Sequence, residues 1–220
     1  FIANRIGTFG MMVTLHEANK RNLSIEDVDA LTGTIIGRPK SATFRTADIV
    51  GLDTMCYVAN TAYTKCVDDY EREAFKLPDY INKMIDNKWL GQKTKQGFYK
   101  KIDKGVIYSL DLKTFEYKPM NKKRHQAYAL AKEKTYVRDR IKAIIKSDDN
   151  AGEFLWKTFS RTLMYAANLI GEIADDVCSI DSAMKWGFGW EIGPFEVLDA
   201  IGVDYFIERC KSDNMKIPNW

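Results

Sequence analysis

The sequence has no apolar run approaching the ~20 residues a membrane-spanning helix requires, and 29% of its 220 residues are charged. The first excludes a spanning helix, and the second argues against a membrane protein. The opening Phe1-Ile-Ala-Asn-Arg5 has neither the basic segment nor the apolar core of a secretory signal. It also lacks an initiator Met and starts inside an apolar segment, so a chain cut from a longer polypeptide is expected. Cysteine is scarce. Cys56, Cys66, Cys178 and Cys210 form no Cys-x-x-Cys pair and none adjoins a histidine, which points to reduced thiols in a cytoplasmic protein. Histidine is scarcer: His16 and His125 are the whole supply. His16-Glu17 lacks the second His of a His-Glu-x-x-His zinc site, and no other metal site is indicated. Neighbours on a helix point about 100° apart, a poor geometry for an acid–base pair. His16 reads as a helix-face residue, and His125, in the basic run Asn121-Lys-Lys-Arg-His125, as solvent-exposed.

The chain also lacks a Gly-x-Gly-x-x-Gly turn. Gly187-Phe-Gly-Trp-Glu-Ile-Gly193 comes nearest, but its glycines are misplaced and it follows a helical pattern, not a strand. No βαβ alternation and no serine-nucleophile pattern occur. No dinucleotide-binding residues are therefore assigned to this chain.

What is present is an apolar fraction of 45%, enough for a real core, and a net charge of +3 that hides an asymmetry. Residues 76 to 146 hold 19 Lys+Arg against 7 Asp+Glu, leaving 14 against 23 elsewhere. A basic middle attracts phosphates, of CoA or of nucleic acid, or serves as a solvated connector; its scattered lysines favour the connector and make nucleic acid the weakest reading.

Most of the chain has helical periodicity. Ile2, Ile6, Phe9 and Val13 step by four and three. Ser24-Ile-Glu-Asp27 resembles a capping box and opens a helix through Leu31, which Gly33, Gly37 and Pro39 interrupt. Helices are predicted over 43–49, 53–72 and 79–86. Gly91 to Tyr99 is a turn-rich, glycine-bounded loop. Val106–Leu110 and Phe115–Lys118 flank Asp-Leu-Lys-Thr and predict a β-hairpin with a four-residue loop. A charged helix follows over 132–146. Phe159, Leu163, Ala166, Ile170 and Ile173 mark another long helix. Ser179 caps one running to Trp186, glycines 187, 189 and 193 with Pro194 break it, and residues 195–200 form a short last helix.

The two halves repeat. Phe44, Asp48, Gly51 and Asp53 recur as Phe195, Asp199, Gly202 and Asp204 with identical spacing, and Asp29 to Gly37 spans the same distance as Asp181 to Gly189. A repeat of about 150 residues is too long for a solenoid. It predicts two copies of one helical unit, each a long helix, a capped helix, a glycine–proline break and a short helix. Such a fused pair buries internally the faces a single copy would use to dimerise.

These residues resemble the C-terminal domain of the 3-hydroxyacyl-CoA dehydrogenases. Phe1-Ile-Ala-Asn-Arg-Ile6 resembles the segment that opens that domain. Gly193-Pro-Phe-Glu-Val-Leu-Asp199 resembles its Gly-Pro-Phe-x-x-x-Asp motif, and Leu90-Gly-Gln-Lys-Thr-Lys-Gln-Gly-Phe-Tyr99 its Leu-Gly-x-Lys-Thr-x-x-Gly-Phe-Tyr loop. The resemblance implies a mainly all-α fold: two repeats of a helical domain like the C-terminal domain of 6-phosphogluconate dehydrogenase. The first repeat is expected over 1–102, a basic connector with a β-hairpin over 103–146, and the second repeat over 147–220. It implies an NAD-dependent oxidation of the 3-hydroxyl of an acyl-CoA in fatty-acid β-oxidation. NAD and the acid–base His–Glu pair would belong to an upstream Rossmann domain, and a hydratase domain can follow in the long bacterial or archaeal form. Asn4 matches the family's Asn that hydrogen-bonds the reacting oxygen, a role an amide fills without adding charge. The first repeat departs from the pattern: where Gly-Pro-Phe is typical it has Arg38-Pro-Lys-Ser-Ala-Thr-Phe44, so Arg38 and Lys40 either reach CoA phosphates or decorate a loop. The competing readings are a helical partner domain of a different hydroxy-acid dehydrogenase and a non-enzymatic helical binding module.

Overall fold

The computed structural model describes residues 2–102, 105–121 and 123–220, so Phe1 of the opening motif lies outside the described residues. The organising element is α1 (Ile2–Lys20). Of its predicted stripe, Ile6, Phe9 and Val13 are fully buried, as are Met12 and Leu15, and Ile2 is half-buried. Gly7 and Gly10 let other elements approach the remaining faces, so α1 runs through the core rather than along its surface. Antiparallel to it lies α8 (Asn150–Asn168): Phe9 stacks on Tyr165 with ring centroids 3.8 Å apart, Gly10 faces Thr162, and Arg21 reaches Asn150. The start of α1 is crossed by α9 (Val177–Phe188) with no room for larger residues. A Cβ on Gly7 would stand 2.1 Å from Phe188 Cζ, and one on Gly187 2.7 Å from the Ala3 Cβ.

Each long helix begins the same series. After α1 come α2 (Ile25–Thr32), α3 (Phe44–Val50) and α4 (Leu52–Lys65). After α8 come α9, α10 (Pro194–Ile201) and α11 (Val203–Ser212). The break between the second and third members is built alike in both. Asp29 on α2 accepts the amides of Thr43, Phe44 and Arg45 at 3.1, 2.6 and 3.0 Å, and Asp181 on α9 accepts those of Phe195 and Glu196 at 2.8 and 3.1 Å. One carboxylate thus satisfies the orphan donors of the helix that folds back across it. Gly51 and Gly202, between the third and fourth members, adopt φ of 96° and 99°, open to glycine and strained for other residues.

The mainly all-α fold stands, with corrections of detail. The helix predicted to Arg72 ends at Lys65, because the chain turns at Cys66 to bring Asp69 beneath Arg5. The charged helix predicted over 132–146 is the shorter α7 (Val137–Ile145), preceded by an unpredicted α6 (Gln126–Lys132), and Arg140 closes the break between them on the Thr135 carbonyl at 3.0 Å. α8 stops before Ile170 and Ile173. The cap of α9 is Asp176, not Ser179: its carboxylate accepts the Ser179 amide at 2.7 Å, so the helix starts earlier and runs through Gly187. α11 was not foreseen. Ser24 does accept the Asp27 amide at 3.2 Å, and α5 (Asp79–Asp86) has the predicted bounds.

The hairpin is part of a three-stranded antiparallel sheet, β1 (Tyr99–Lys101), β2 (Ile107–Leu110) and β3 (Tyr117–Pro119), in sequence order. Leu110 pairs with Tyr117, so the connection is longer than four residues. Phe115, at φ 60°, cannot belong to a strand and stacks instead on Trp89.

Candidate functional site

Asn4 stands exposed on the first turn of α1, and the residues around it are fixed. Arg5 donates from Nε to the Tyr165 hydroxyl and from a terminal nitrogen to Asp69, both at 2.6 Å, and the Tyr165 hydroxyl donates to the same Asp69 oxygen at 2.5 Å. The Asp69 side chain is wholly buried. A buried carboxylate held by a guanidinium and a phenol is costly to disturb, so this network locks the helix end in place. On the opposite flank Ala3 and Gly7 abut Gly187 and Phe188. Trp186, next to Gly187, is 85% exposed and adds apolar surface at this end of α9. The product is an exposed carboxamide, both donor and acceptor, on a turn anchored by its neighbours.

The other residues singled out from sequence divide differently. His16 lies on a helix face as predicted, but Nε2 is engaged by the carbonyls of Lys76 and Ala74 at 2.9 and 3.2 Å, and burial lowers its pKa. Glu17 turns to Arg21 instead. His125 is not solvent-exposed: it is half-buried with Nε2 3.4 Å from Asp27, because the basic run folds back onto the start of α2, where Asp27 accepts the Lys123 amide. Arg38 does not decorate a loop. Its guanidinium lies 4.2 Å from the Trp190 ring centroid and 5.7 Å from that of Phe159, and burial pushes its pKa down to about 10. Lys40 is exposed. All four cysteines are free thiols, and burial pushes Cys56 and Cys210 up to about 11 and 12, away from reactivity.

The Leu90–Tyr99 loop is a structural part of the fold. Asp48 accepts the Phe98 and Tyr99 amides at 2.8 and 2.9 Å, and the Tyr99 hydroxyl donates to Asp29 at 2.7 Å. Gly91 and Gly97 are needed there, since Cβ atoms on them would stand 2.3 and 2.1 Å from Asp48 atoms. Beside the loop a cavity of about 680 Å³ is lined by Arg45, Lys95 and Lys101 together with Asp48. Arg45 acts on the Asp48 carboxyl and no salt bridge to Lys95 or Lys101 occurs among the described residues, so three cations face one carboxylate there.

Among the described residues no three His, Cys, Asp or Glu side chains converge as metal ligands, and no helix is long and apolar enough to cross a membrane. Among the described residues the strands are short and antiparallel, and none runs through a glycine turn into a helix that could receive a dinucleotide's pyrophosphate.

Comparison with known proteins places the sequence in a family. The family model described as "3-hydroxyacyl-CoA dehydrogenase, C-terminal domain" matches residues 1–101 and 154–211. A "Probable 3-hydroxyacyl-CoA dehydrogenase" of Bacillus subtilis is 50% identical over the whole chain, which covers 28% of that protein. A "Putative fatty acid oxidation complex trifunctional enzyme" of Rickettsia prowazekii is 25% identical over the whole chain and 30% of its own length. One of Deinococcus radiodurans, also named "Probable 3-hydroxyacyl-CoA dehydrogenase", is 43% identical over 46% of the chain and 28% of its own length. The chain thus spans less than a third of these relatives, and over that span it belongs to the 3-hydroxyacyl-CoA dehydrogenase C-terminal domain family.

Proposed function

We propose that this chain is the substrate-side and dimerisation part of an NAD-dependent 3-hydroxyacyl-CoA dehydrogenase of fatty-acid β-oxidation, and that Asn4 is its contribution to the reacting centre. The observation that carries the reading is the exposed carboxamide on a first turn clamped by Arg5, Tyr165 and Asp69. An amide held there orients the 3-oxygen of the substrate as hydroxyl or as carbonyl, since it can accept from one and donate to the other. NAD takes the hydride in this family; its site and the acid–base pair lie outside the residues described. The units are residues 1–102 and 147–220, joined by the connector 103–146, a division supported by the family match to two separate segments. The Rickettsia relatives named as trifunctional enzymes support a fused hydratase domain, and the cellular location proposed is the cytoplasm. The basic cavity at Arg45, Lys95 and Lys101 is the place on this chain suited to CoA phosphates.

The test is Asn4→Ala in the longer protein that carries the dinucleotide domain. The expected result is a loss of about 10²-fold or more in kcat, with little change in KM or thermal stability. An unchanged kcat removes Asn4 from the reaction. Separately, the 220-residue chain is expected not to oxidise 3-hydroxybutyryl-CoA with NAD, and robust turnover by it alone overturns the reading.

A further inference from the structure

The two repeats share a platform that only one of them uses. In the first, the turn from α3 to α4 carries the Leu90–Tyr99 loop. The Leu52 amide donates to the Leu90 carbonyl at 3.1 Å, Asp48 accepts the Phe98 and Tyr99 amides, and Lys93 sits on Asp53 at 2.5 and 2.6 Å. Gly51 shapes this turn with φ 96° and ψ 129°, and a Cβ there would press on Asp53 and Lys93.

In the second repeat the turn from α10 to α11 is the same. Gly202 has φ 99° and ψ 122°, Asp199 stands where Asp48 does, Asp204 where Asp53 does, and Val203 where Leu52 does. Here the platform is bare. Asp199 and Asp204 are exposed, Val203 is 44% exposed, and a Cβ on Gly202 would meet nothing within 4 Å. The Val203 amide finds no acceptor among the described residues. The approach to the loop is repeated as well: Lys76-Leu-Pro-Asp-Tyr80, which leads through α5 to Leu90, recurs as Lys216-Ile-Pro-Asn-Trp220.

We infer that Asp199, Val203 and Asp204 form a docking site for a peptide loop built like Leu90–Tyr99 that lies outside residues 1–220. The chemistry of the occupant follows from the occupied copy. Two consecutive backbone amides go to Asp199, since a carboxylate with two free oxygens is matched by two donors. A lysine goes to Asp204. A carbonyl accepts from Val203. Glycines flank the contact, because the first platform leaves no room for Cβ atoms over its aspartate. The loop bound to Asp48 cannot serve both platforms, as its amides and Lys93 are already engaged. The inference does not depend on Asn4 or on CoA.

The experiment titrates the 220-residue chain, labelled with ¹⁵N, with a backbone-cyclised peptide of the sequence Trp89 to Lys101. Cyclisation removes the ordering penalty that would hide a weak linear ligand. Saturable shifts confined to the amides of residues 199–205 are expected. Asp199→Asn is expected to weaken binding by about tenfold, the loss of a charge-assisted hydrogen bond, and a peptide carrying Glu in place of Lys93 to do the same. Absence of shifts at about 2 mM peptide, or shifts indifferent to Asp199→Asn, overturns the inference. A melting temperature supplies the second arm: Asp199→Asn leaves it unchanged in this chain whereas Asp48→Asn lowers it, and an equal fall in both would mean that the second platform is already filled from within.

Discussion

Arg5 and Tyr165 meet at 2.6 Å from opposite halves of the chain, 160 residues apart, and share Asp69 between them. The pair fastens α1 to α8 at the end that presents Asn4. Arg5→Met leaves the Asp69 carboxylate buried without a cation, and a loss of about 3–5 kcal/mol is expected. Tyr165→Phe removes one hydrogen bond and is expected to lower stability by about 1–3 kcal/mol. Urea unfolding followed by tryptophan fluorescence measures both. Equal and small effects would show that the network does not hold the helix end.

Gly187→Ala addresses the crossing of α1 and α9. Replacing a helical glycine by alanine ordinarily stabilises by about 1 kcal/mol. Here the new methyl would stand 2.7 Å from the Ala3 Cβ, which cannot swing aside. A net destabilisation of about 1–3 kcal/mol is expected. The double variant Ala3→Gly/Gly187→Ala should recover part of it, and a double-mutant cycle reads the coupling. Additive losses would place the strain elsewhere.

Asp48 carries a pH signature. Burial pushes its carboxyl from 3.8 up to about 6, against the Tyr99 and Phe98 amides that hold it down. The folded chain therefore binds this proton more tightly than the unfolded chain does. The stability the group contributes is complete below about pH 4 and is lost as pH rises through 6. A rise from 3.8 to about 6 corresponds to about 3 kcal/mol. Comparing wild type with Asp48→Asn isolates the group from His16, whose lowered pKa acts in the opposite sense. The stability difference between the two proteins is expected to shrink by about 2–3 kcal/mol between pH 4 and about 7.5. A constant difference would show that Asp48 titrates normally.

Arg45→Ala and Lys101→Ala test the basic cavity. Each is expected to weaken binding of CoA by severalfold in about 50 mM salt and hardly at all in about 0.5 M, because such attraction is screened. 3′-Dephospho-CoA and pantetheine, assayed by calorimetry, distinguish phosphate recognition from contact with the pantetheine arm. Salt-insensitive binding would take the phosphates away from these residues.

The helices were legible in the sequence where their own residues decide the matter. The stripe from Ile6 to Val13, the cap at Ser24 and the bounds of α5 all rest on local periodicity or local hydrogen bonds. So did the repeat, because Asp29 and Asp181 do the same work in both copies. The errors arise where distant partners decide. Nothing near Asp69 announces that it belongs under Arg5, so α4 was read through the turn that carries it there. His125 was judged by its basic neighbours, but its surroundings are set by Asp27, about a hundred residues away. β1 begins at the last residue of the glycine-bounded loop, and three residues carry too little pattern to be read alone. The role of Asn4 rests on resemblance alone, and the clamp beside it joins residues too far apart in sequence to be read locally.

Gly7 on α1 and Phe188 on α9 bring the two copies together within one continuous polypeptide. Two separate chains packed this way would part on dilution, and their stability would rise with protein concentration. Here the encounter is intramolecular, at an effective concentration set by the connector. The Asn4 turn should therefore keep its shape at the lowest protein concentrations, whatever further assembly the molecule enters.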